Sequence, residues 1–367
     1  MQYDVVFNPD GSLDLPDLPG ELIPAVESLG FAIPVLAMPA GGFSKFRKAR
    51  QFWLPLTKSE LATFTTEHLW LLHDQSVSQG PEIPFNSQEK EDQASYLDLK
   101  VELARRQLGA CTLCQLRCGV NRWAGESGVC GSQKDAYYGG CFLNWSEEKH
   151  LVPGIMIYLN GCNWECVYCQ YPQHLPPQAG LLLEPQALSR LIDGLCQQGG
   201  RNIHWVGGNP DQSLWPVLAT LQACHSNLPV VWNSNGYASE ETLKLLNGVI
   251  DTFLIDFRYW DDACASHYGA APHASATIQR NLKIIAQGQV DLIVRHLQLP
   301  GHFECCTKPI LHWIASQLPG ARLNLMNGQY RPAHLAYRYP EINRRLSPQE
   351  HLLAAELAGG LGINQVE

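Results

Sequence analysis

The sequence has no excess of basic residues and no long apolar run. Its 26 Lys and Arg residues stand against 35 Asp and Glu residues, and the formal charge of −9 argues against general nucleic-acid binding. No apolar stretch approaches the ~20 residues that a membrane helix needs. Residues 1–7 also lack the basic and apolar parts of a signal peptide. We therefore expect a cytoplasmic protein without a nucleic-acid or membrane partner.

Cysteine is abundant, with 13 residues. Without a secretion signal, this number indicates metal or redox chemistry and not a disulfide framework. Cys162, Cys166 and Cys169 stand at C-x3-C-x2-C spacing directly after the apolar segment 155–161. Three thiolates can hold three irons of a 4Fe–4S cluster and leave the fourth iron open for chemistry. Buried cysteines without metal are the alternative, and a closed zinc site would need a fourth ligand close by.

A second cysteine group consists of Cys111, Cys114, Cys118 and Cys130, at C-x2-C-x3-C-x11-C spacing. Four thiolates form a closed ligand set, and a loop rich in glycine separates the last two. We predict a second metal site here, either zinc or iron–sulfur, with unmetallated cysteines as the alternative. Cys141 is a candidate replacement ligand.

Three more cysteines in the second half of the chain lie outside these two groups. The vicinal pair Cys305-Cys306 follows His302 closely, and Cys264 lies further upstream. The pair and the histidine could bind metal or be redox-active. The simpler interpretation is that they begin a helix.

The apolar pattern divides the chain into three parts. The pattern over residues 1–109 predicts a mostly helical N-terminal extension. Residues 110–150 are the cysteine-rich segment and show little regular periodicity. From 151 to 367, amphipathic helices alternate with strand candidates at 155–161, 201–206, 229–235, 250–257, 290–298 and 321–327. Six strand–helix units imply a parallel sheet with right-handed crossovers. We predict an α/β fold with a partial (β/α)6 barrel and a site at the carboxyl ends of its strands.

Small and polar residues follow two of the predicted strands. Gly207-Gly208-Asn209 follows the second strand, where glycines let the backbone approach a ligand, although the same residues also make ordinary turns. The third strand ends in Asn233, Ser234 and Asn235. These side chains suit contacts to a ribose or a carboxylate, with a plain polar turn as the alternative.

Charged residues end the fourth and fifth strands. Asp256 and Arg258 are two residues apart and share a strand face, so they bind a ligand or form a structural salt bridge. Alternation sends either Arg295 or His296 into the barrel. An inward Arg could pair with a ligand carboxylate, and an inward His could carry a proton or donate a hydrogen bond.

These motifs resemble the radical S-adenosylmethionine (SAM) superfamily, in the branch related to the pyruvate formate-lyase activating enzyme, over residues 110–360. The resemblance implies that SAM chelates the open iron and that a reduced cluster cleaves SAM to methionine and a 5′-deoxyadenosyl radical. It places Tyr168 near the adenine and Gly207-Gly208-Asn209 at the SAM amino group, with Asn209 where the family has Glu. The segment 233–236 resembles the family's Ser/Thr-Asn-Gly segment, and Asp256 with Arg258 resembles its Asp-x-Lys element.

The resemblance implies an oxidoreductase that abstracts hydrogen from a protein or peptide substrate, such as a glycyl radical enzyme, and takes electrons from a donor such as flavodoxin or ferredoxin. Modification of another peptide or a small molecule with help from the second metal site is the alternative. The rival from another class is a non-catalytic iron–sulfur or zinc protein. The sequence identifies neither the substrate nor a separate catalytic residue.

Overall fold

The computed structural model describes residues 42–78 and 92–366, together with two short strands nearer the N-terminus. Those strands, β1 (Val6–Phe7) and β2 (Leu13–Asp14), pair antiparallel within a unit that spans Met1–Val35. The remaining described residues belong to a second compact unit, Leu36–Glu367. Among the described residues, no helix is long and apolar enough to cross a membrane.

The described residues in the first part of the second unit form four helices and a two-stranded sheet. A capping box begins one helix, because the Thr57 hydroxyl accepts from the Glu60 N–H (3.2 Å) and the Glu60 carboxylate accepts from the Thr57 N–H (2.7 Å). Nζ of the buried Lys100 donates to the Lys244 carbonyl (2.9 Å), which ties this part to a helix of the barrel. In chain order the elements are α1 (Lys45–Gln51), β3 (Trp53–Thr57), α2 (Lys58–Thr63), α3 (Thr66–Ser78), β4 (Gln93–Ser95) and α4 (Tyr96–Gln107).

An eight-stranded sheet forms the centre of the second unit. Its strands, in spatial order, are β12, β11, β10, β9, β8, β6, β5 and β7. Six of them are parallel and occur at the six predicted positions, so the predicted partial barrel is confirmed. The bounds are β5 (Tyr137–Asn144), β6 (Gly154–Leu159), β7 (Leu181–Leu182), β8 (Asn202–Gly207), β9 (Val230–Ser234), β10 (Thr252–Asp256), β11 (Asp291–Leu297) and β12 (Arg322–Met326).

Helices cover the outside of the parallel strands. Strand β9 is buried over its whole length, as expected for a parallel strand that is covered on both faces. The helices are α5 (Pro185–Gln197), α6 (Leu214–Ala223), α7 (Glu240–Leu246), α8 (Asp262–Gly269), α9 (Ala274–Ala286), α10 (Lys308–Gln317) and α11 (Pro348–Gly360). This arrangement brings the carboxyl ends of six strands to one edge.

Two strands of the sheet were not predicted. Strand β5 pairs antiparallel with β6, and β7 pairs antiparallel with β5. Strand β5 lies inside the segment 110–150, so the end of that segment belongs to the sheet of the barrel. The pair Gly139-Gly140 interrupts its apolar pattern, and Gly139 is required because a Cβ there would meet the His174 ring.

Candidate metal centre and ligand cavity

A cavity of about 1180 Å³ opens at the carboxyl ends of the parallel strands. This is the edge where the sequence predicted the site. The cavity is lined by most of the predicted site residues, namely Cys162, Cys166, Cys169, Tyr168, Gly207, Gly208, Asn233, Ser234, Asn235, Asp256, Arg258 and Arg295. Asn209 and His296 do not line it.

The loop that carries the three cysteines follows β6 directly. Gly161 begins it with a φ of +90°, a conformation that favours glycine. The N–H groups on either side of Cys166 are held by the end of α8, since Glu165 donates to the Gly269 carbonyl and Val167 to the Tyr268 carbonyl (both 2.9 Å). Backbone contacts therefore fix this loop independently of its side chains.

The three thiols lie in a buried setting with one cation nearby. Burial raises the pKa of Cys162 and Cys169, and it raises the pKa of Cys166 to about 11. The Arg258 guanidinium opposes this effect at all three thiols because its charge favours the thiolates. Among the described lining residues there is no fourth cysteine. This donor set fits a 4Fe–4S cluster with one open iron.

Gly207, the last residue of β8, and Gly208 after it allow a close approach of backbone segments. Gly207 has a φ of +122°, and a Cβ on it would collide with the Leu159 backbone. A Cβ on Gly208 would collide with the carbonyl of Gly161 at the start of the cysteine loop. Both glycines therefore set the distance between β8 and the cysteine loop.

Asn209 faces β9 and not the cavity, in contrast to the role implied by the resemblance. Its side-chain oxygen accepts from the Ser234 hydroxyl (3.0 Å) and from the Asn235 N–H (3.1 Å). Its amide nitrogen donates to the Gln212 side chain (3.2 Å). Asn209 is 1% exposed. It therefore holds the end of β9 in place, while the cavity wall there consists of backbone and β9 side chains.

The polar end of β9 contacts the cysteine loop. The Asn235 amide donates to the Asn163 side chain (2.7 Å) and lies 3.9 Å from the Cys162 sulfur. Asn233 donates to Nε2 of His204 (3.1 Å), and burial lowers the pKa of His204 to about 4, so this imidazole is neutral at pH 7. The β9 amides are thus oriented by partners on neighbouring elements.

The structure decides between Arg295 and His296. Arg295 faces the cavity, and its guanidinium donates to Glu148 (2.7 and 2.8 Å) and to Glu147. His296 faces the other way, where its ring bonds the Phe257 carbonyl (2.7 Å) and the Thr307 hydroxyl (2.9 Å). His296 therefore has no contact with a ligand in the cavity.

Glu148 is a site residue that the sequence analysis missed. Burial raises the pKa of its carboxyl, but the Arg295 charge and hydrogen bonds from Arg295 and Asn324 outweigh burial and hold the pKa at about 2. Glu148 is therefore ionised and compensates the Arg295 charge, which leaves Arg295 little freedom to pair with a ligand carboxylate. No sequence signal links Glu148 to Arg295, because they are 147 residues apart.

Asp256 and Arg258 form the salt bridge that the sequence analysis gave as one alternative. Nη2 of Arg258 lies 2.7 Å from the Asp256 carboxylate, and both side chains line the cavity. The Arg258 guanidinium also lies 6.0 Å from the centre of the Tyr168 ring. The Tyr168 hydroxyl is 2.6 Å from that of Tyr259, so the ring is fixed at the cavity wall.

The second cysteine group lies beside the end of β9. A tight loop is closed by hydrogen bonds from the Cys111 N–H to the Val120 carbonyl (2.9 Å) and from the Gly119 N–H to the Cys111 carbonyl (3.0 Å). The buried Arg122 donates to the Cys130 sulfur (3.4 Å). Burial raises the pKa of Cys111, and the Arg122 charge opposes this shift.

The members of the second group differ in burial and contacts. Burial raises the pKa of Cys114 to about 11, and a hydrogen bond with Asn163 of the cysteine loop opposes the shift. Cys118 is exposed. Cys141 lies instead within β5, opposite Ile157, and its thiol neighbours Cys224. The structure therefore brings Cys111, Cys118 and Cys130 into one neighbourhood and leaves Cys141 outside it.

The chain is similar in sequence to one protein family and to two curated proteins. The family described as the Radical SAM superfamily matches residues 156–314. The chain is 37% identical over 301 residues to the uncharacterized protein MJ0674 of Methanocaldococcus jannaschii, covering 79% of this chain and 86% of that protein. It is 27% identical over 145 residues to a 7-carboxy-7-deazaguanine synthase of Methanothermobacter thermautotrophicus, covering 40% of this chain and 53% of that one.

Among solved structures, the chain matches a domain of the pyruvate-formate lyase-activating enzyme from Bacteroides vulgatus. The two chains are 15% identical, with a TM-score of 0.32. The match covers 49% of this chain and 89% of that domain.

Proposed function

The chain belongs to the radical SAM superfamily, whose members use SAM and a 4Fe–4S cluster, and on this premise we propose that Cys162, Cys166 and Cys169 hold the cluster. One observation carries the proposal: three thiols, the glycine pair and the polar strand ends line one cavity. When bound, cluster and SAM supply a one-electron cleavage of a carbon–sulfur bond and a carbon radical that abstracts hydrogen.

The residues of the chain bind and orient SAM in this proposal. The Gly207-Gly208 backbone lines the cavity beside the cysteine loop and would contact the amino group of SAM. Asn233 and Asn235 present amides to the sugar or the carboxylate. The Arg258 charge favours the thiolates, and Tyr168 lines the cavity where the adenine would lie.

The size of the cavity favours a substrate beside SAM. Its volume of about 1180 Å³ exceeds the ~300–1,000 Å³ that is usual for a single small ligand. We propose a protein or peptide substrate, with the glycine of a glycyl radical enzyme as the first choice and another peptide or a small molecule as the second. A one-electron donor such as flavodoxin or ferredoxin would reduce the cluster.

The proposal predicts SAM cleavage by the isolated chain. Anaerobic reconstitution with iron and sulfide, followed by SAM and dithionite, is expected to yield 5′-deoxyadenosine and methionine. SAM is also expected to change the electron paramagnetic resonance spectrum of the reduced cluster, because it ligates the open iron. A well-assembled cluster that gives no product and no spectral change would instead identify a non-catalytic iron–sulfur protein.

A separate experiment tests the choice of substrate. Incubation of the reduced, SAM-loaded protein with candidate glycyl radical enzymes is expected to produce the doublet of a glycyl radical. SAM cleavage without that doublet in any candidate favours the second choice of substrate.

We also propose that Cys111, Cys114, Cys118 and Cys130 hold a second metal centre. The contact of Cys114 with Asn163 would connect this centre to the cysteine loop. Replacing Cys111 and Cys114 together with alanine is expected to remove metal, since two ligands are lost. Loss of about four irons identifies a cluster and loss of about one zinc identifies a structural site. Unchanged metal content contradicts the proposal.

A further inference from the structure

A third group of metal-ligand side chains lies outside the cavity. It consists of Cys264, His302, Cys305 and Cys306, whose ligand atoms all lie within 4.8 Å of one another. Within residues 42–78 and 92–366, no other group of three or more Cys, His, Asp or Glu residues is this compact. The Cys264 sulfur lies 3.5 Å from Nδ1 of His302 and 3.9 Å from the Cys305 sulfur. Nδ1 of His302 lies 3.2 Å from the Cys305 sulfur.

These distances match the edges of a zinc tetrahedron. With Zn–S near 2.3 Å and Zn–N near 2.0 Å, tetrahedral ligands stand about 3.8 Å apart for two sulfurs and about 3.5 Å apart for sulfur and nitrogen. The observed separations are 3.9 Å for the Cys264 and Cys305 sulfurs and 3.5 and 3.2 Å from these sulfurs to Nδ1 of His302. A single ion at the centre therefore reaches all of these atoms.

Two separate elements build this group. Cys264 lies in the first turn of α8, where its N–H donates to the Asp261 side chain (3.2 Å). His302 caps a π-helical turn, Phe303–Thr307, that leads into α10 and carries Cys305 and Cys306. Such turns are rare and are often found at functional sites. The spacing of three and four residues after His302 puts both thiols on the face of the turn that carries the imidazole.

Neither a disulfide nor an iron–sulfur cluster explains this arrangement as well as a single metal ion does. All four cysteine and histidine ligand atoms converge, whereas a disulfide needs two sulfurs about 2.05 Å apart and leaves the histidine and the third thiol without a role. In a cubane each thiolate binds a different iron, which spreads the sulfurs apart. Convergence on one point fits a mononuclear ion, and a Cys3His set with sulfur and nitrogen donors is a zinc set.

We propose that Cys264, His302, Cys305 and Cys306 bind one structural zinc ion that joins the first turn of α8 to the π-helical turn. Binding replaces three thiol protons with Zn²⁺, so three protons leave and the site carries one net negative charge. The other end of α8 accepts hydrogen bonds from Glu165 and Val167 around Cys166. The zinc therefore anchors the helix on which the cysteine loop rests.

The packing around His302 supports a fixed geometry. The Tyr268 ring meets the imidazole edge-on at 5.1 Å, and the Tyr268 hydroxyl donates to the Glu341 carboxylate (2.7 Å). The three sulfurs and the imidazole are half-buried or buried, so an ion would be shielded but reachable from solvent. The edge-on ring contact restricts rotation of the imidazole.

Elemental analysis of the anaerobically purified chain tests the proposal. The wild type is expected to contain one zinc more per chain than the Cys264→Ala and His302→Ala variants. Amide hydrogens of α8 are expected to exchange faster in both variants, because α8 loses its anchor. Cys196→Ala is the control, since this half-buried cysteine on α5 lies in none of the three groups and is expected to keep all of the zinc.

A second variant covers the case in which the alanine variants do not fold. Nδ1 of a histidine lies near its own Cβ, so the thiol of His302→Cys reaches nearly the same point and restores four ligands. This variant is expected to keep the zinc, and its cobalt-substituted form is expected to gain the absorption of one more thiolate. Equal zinc in wild type and the alanine variants, or a cobalt spectrum that His302→Cys leaves unchanged, would overturn the proposal.

Discussion

Replacing Cys162, Cys166 or Cys169 singly with alanine is expected to abolish 5′-deoxyadenosine formation and to remove the iron of the first cluster. In the proposed cluster each cysteine is the protein ligand of one iron, so two thiolates would leave a second iron open and the cluster would be lost. The three thiols line one cavity in which the described residues offer no substitute cysteine. Iron and sulfide content and product formation after identical anaerobic reconstitution measure the effect.

The matched control for these variants is Cys196→Ala. Cys196 lies near the end of α5, away from the cavity lining, and alanine is a good helix former there. This protein is expected to retain its iron and its activity. A Cys162, Cys166 or Cys169 variant that assembles a full cluster and cleaves SAM at the rate of the control would show that the ligand assignment is wrong.

The barrel strands were predictable because each is a short, continuous apolar run between turn residues. Such runs follow from burial on both faces of a parallel sheet, which is local information. Strand β5 was missed because Gly139-Gly140 interrupts its pattern. Its strand conformation depends on pairing with β6, and sequence periodicity does not record that pairing.

The composition of the site was predictable, whereas the directions of several side chains were not. Alternation allowed either Arg295 or His296 to face the cavity, and the choice depends on Glu148, which is distant in sequence. Asn209 turns toward β9 because Ser234 and the Asn235 N–H offer it hydrogen bonds. Cys264 meets His302 only after α8 and the π-helical turn pack together. Each of these outcomes is a tertiary contact.

The Gly207→Ala substitution is expected to destabilise the protein by about 3 kcal/mol or more, a large effect for one methyl group. Gly207 has a φ of +122°, which L-residues rarely adopt, and the new Cβ would fall inside the Leu159 backbone. Leu159 ends β6 two residues before Gly161, which begins the cysteine loop, so relief of the collision would displace the cysteines. Urea unfolding of the reduced apoprotein measures the stability, and reconstitution is expected to recover less iron than in the wild type.

The Gly199→Ala substitution separates the two causes of the expected loss of stability, which are the positive φ and the collision of the new Cβ. Gly199 precedes the same strand β8 and has a φ of +101°, but no atom lies within 4 Å of the position its Cβ would take. This variant is expected to lose only about 1 kcal/mol of stability, because of its backbone angle, and to recover iron normally. If Gly207→Ala is as stable as Gly199→Ala and binds as much iron, then the close approach of β8 to β6 does not set the geometry of the cysteine loop. If only Gly207→Ala loses both stability and iron, a glycine is required at this last residue of β8 because a Cβ would collide with Leu159, and not because of the backbone angle alone.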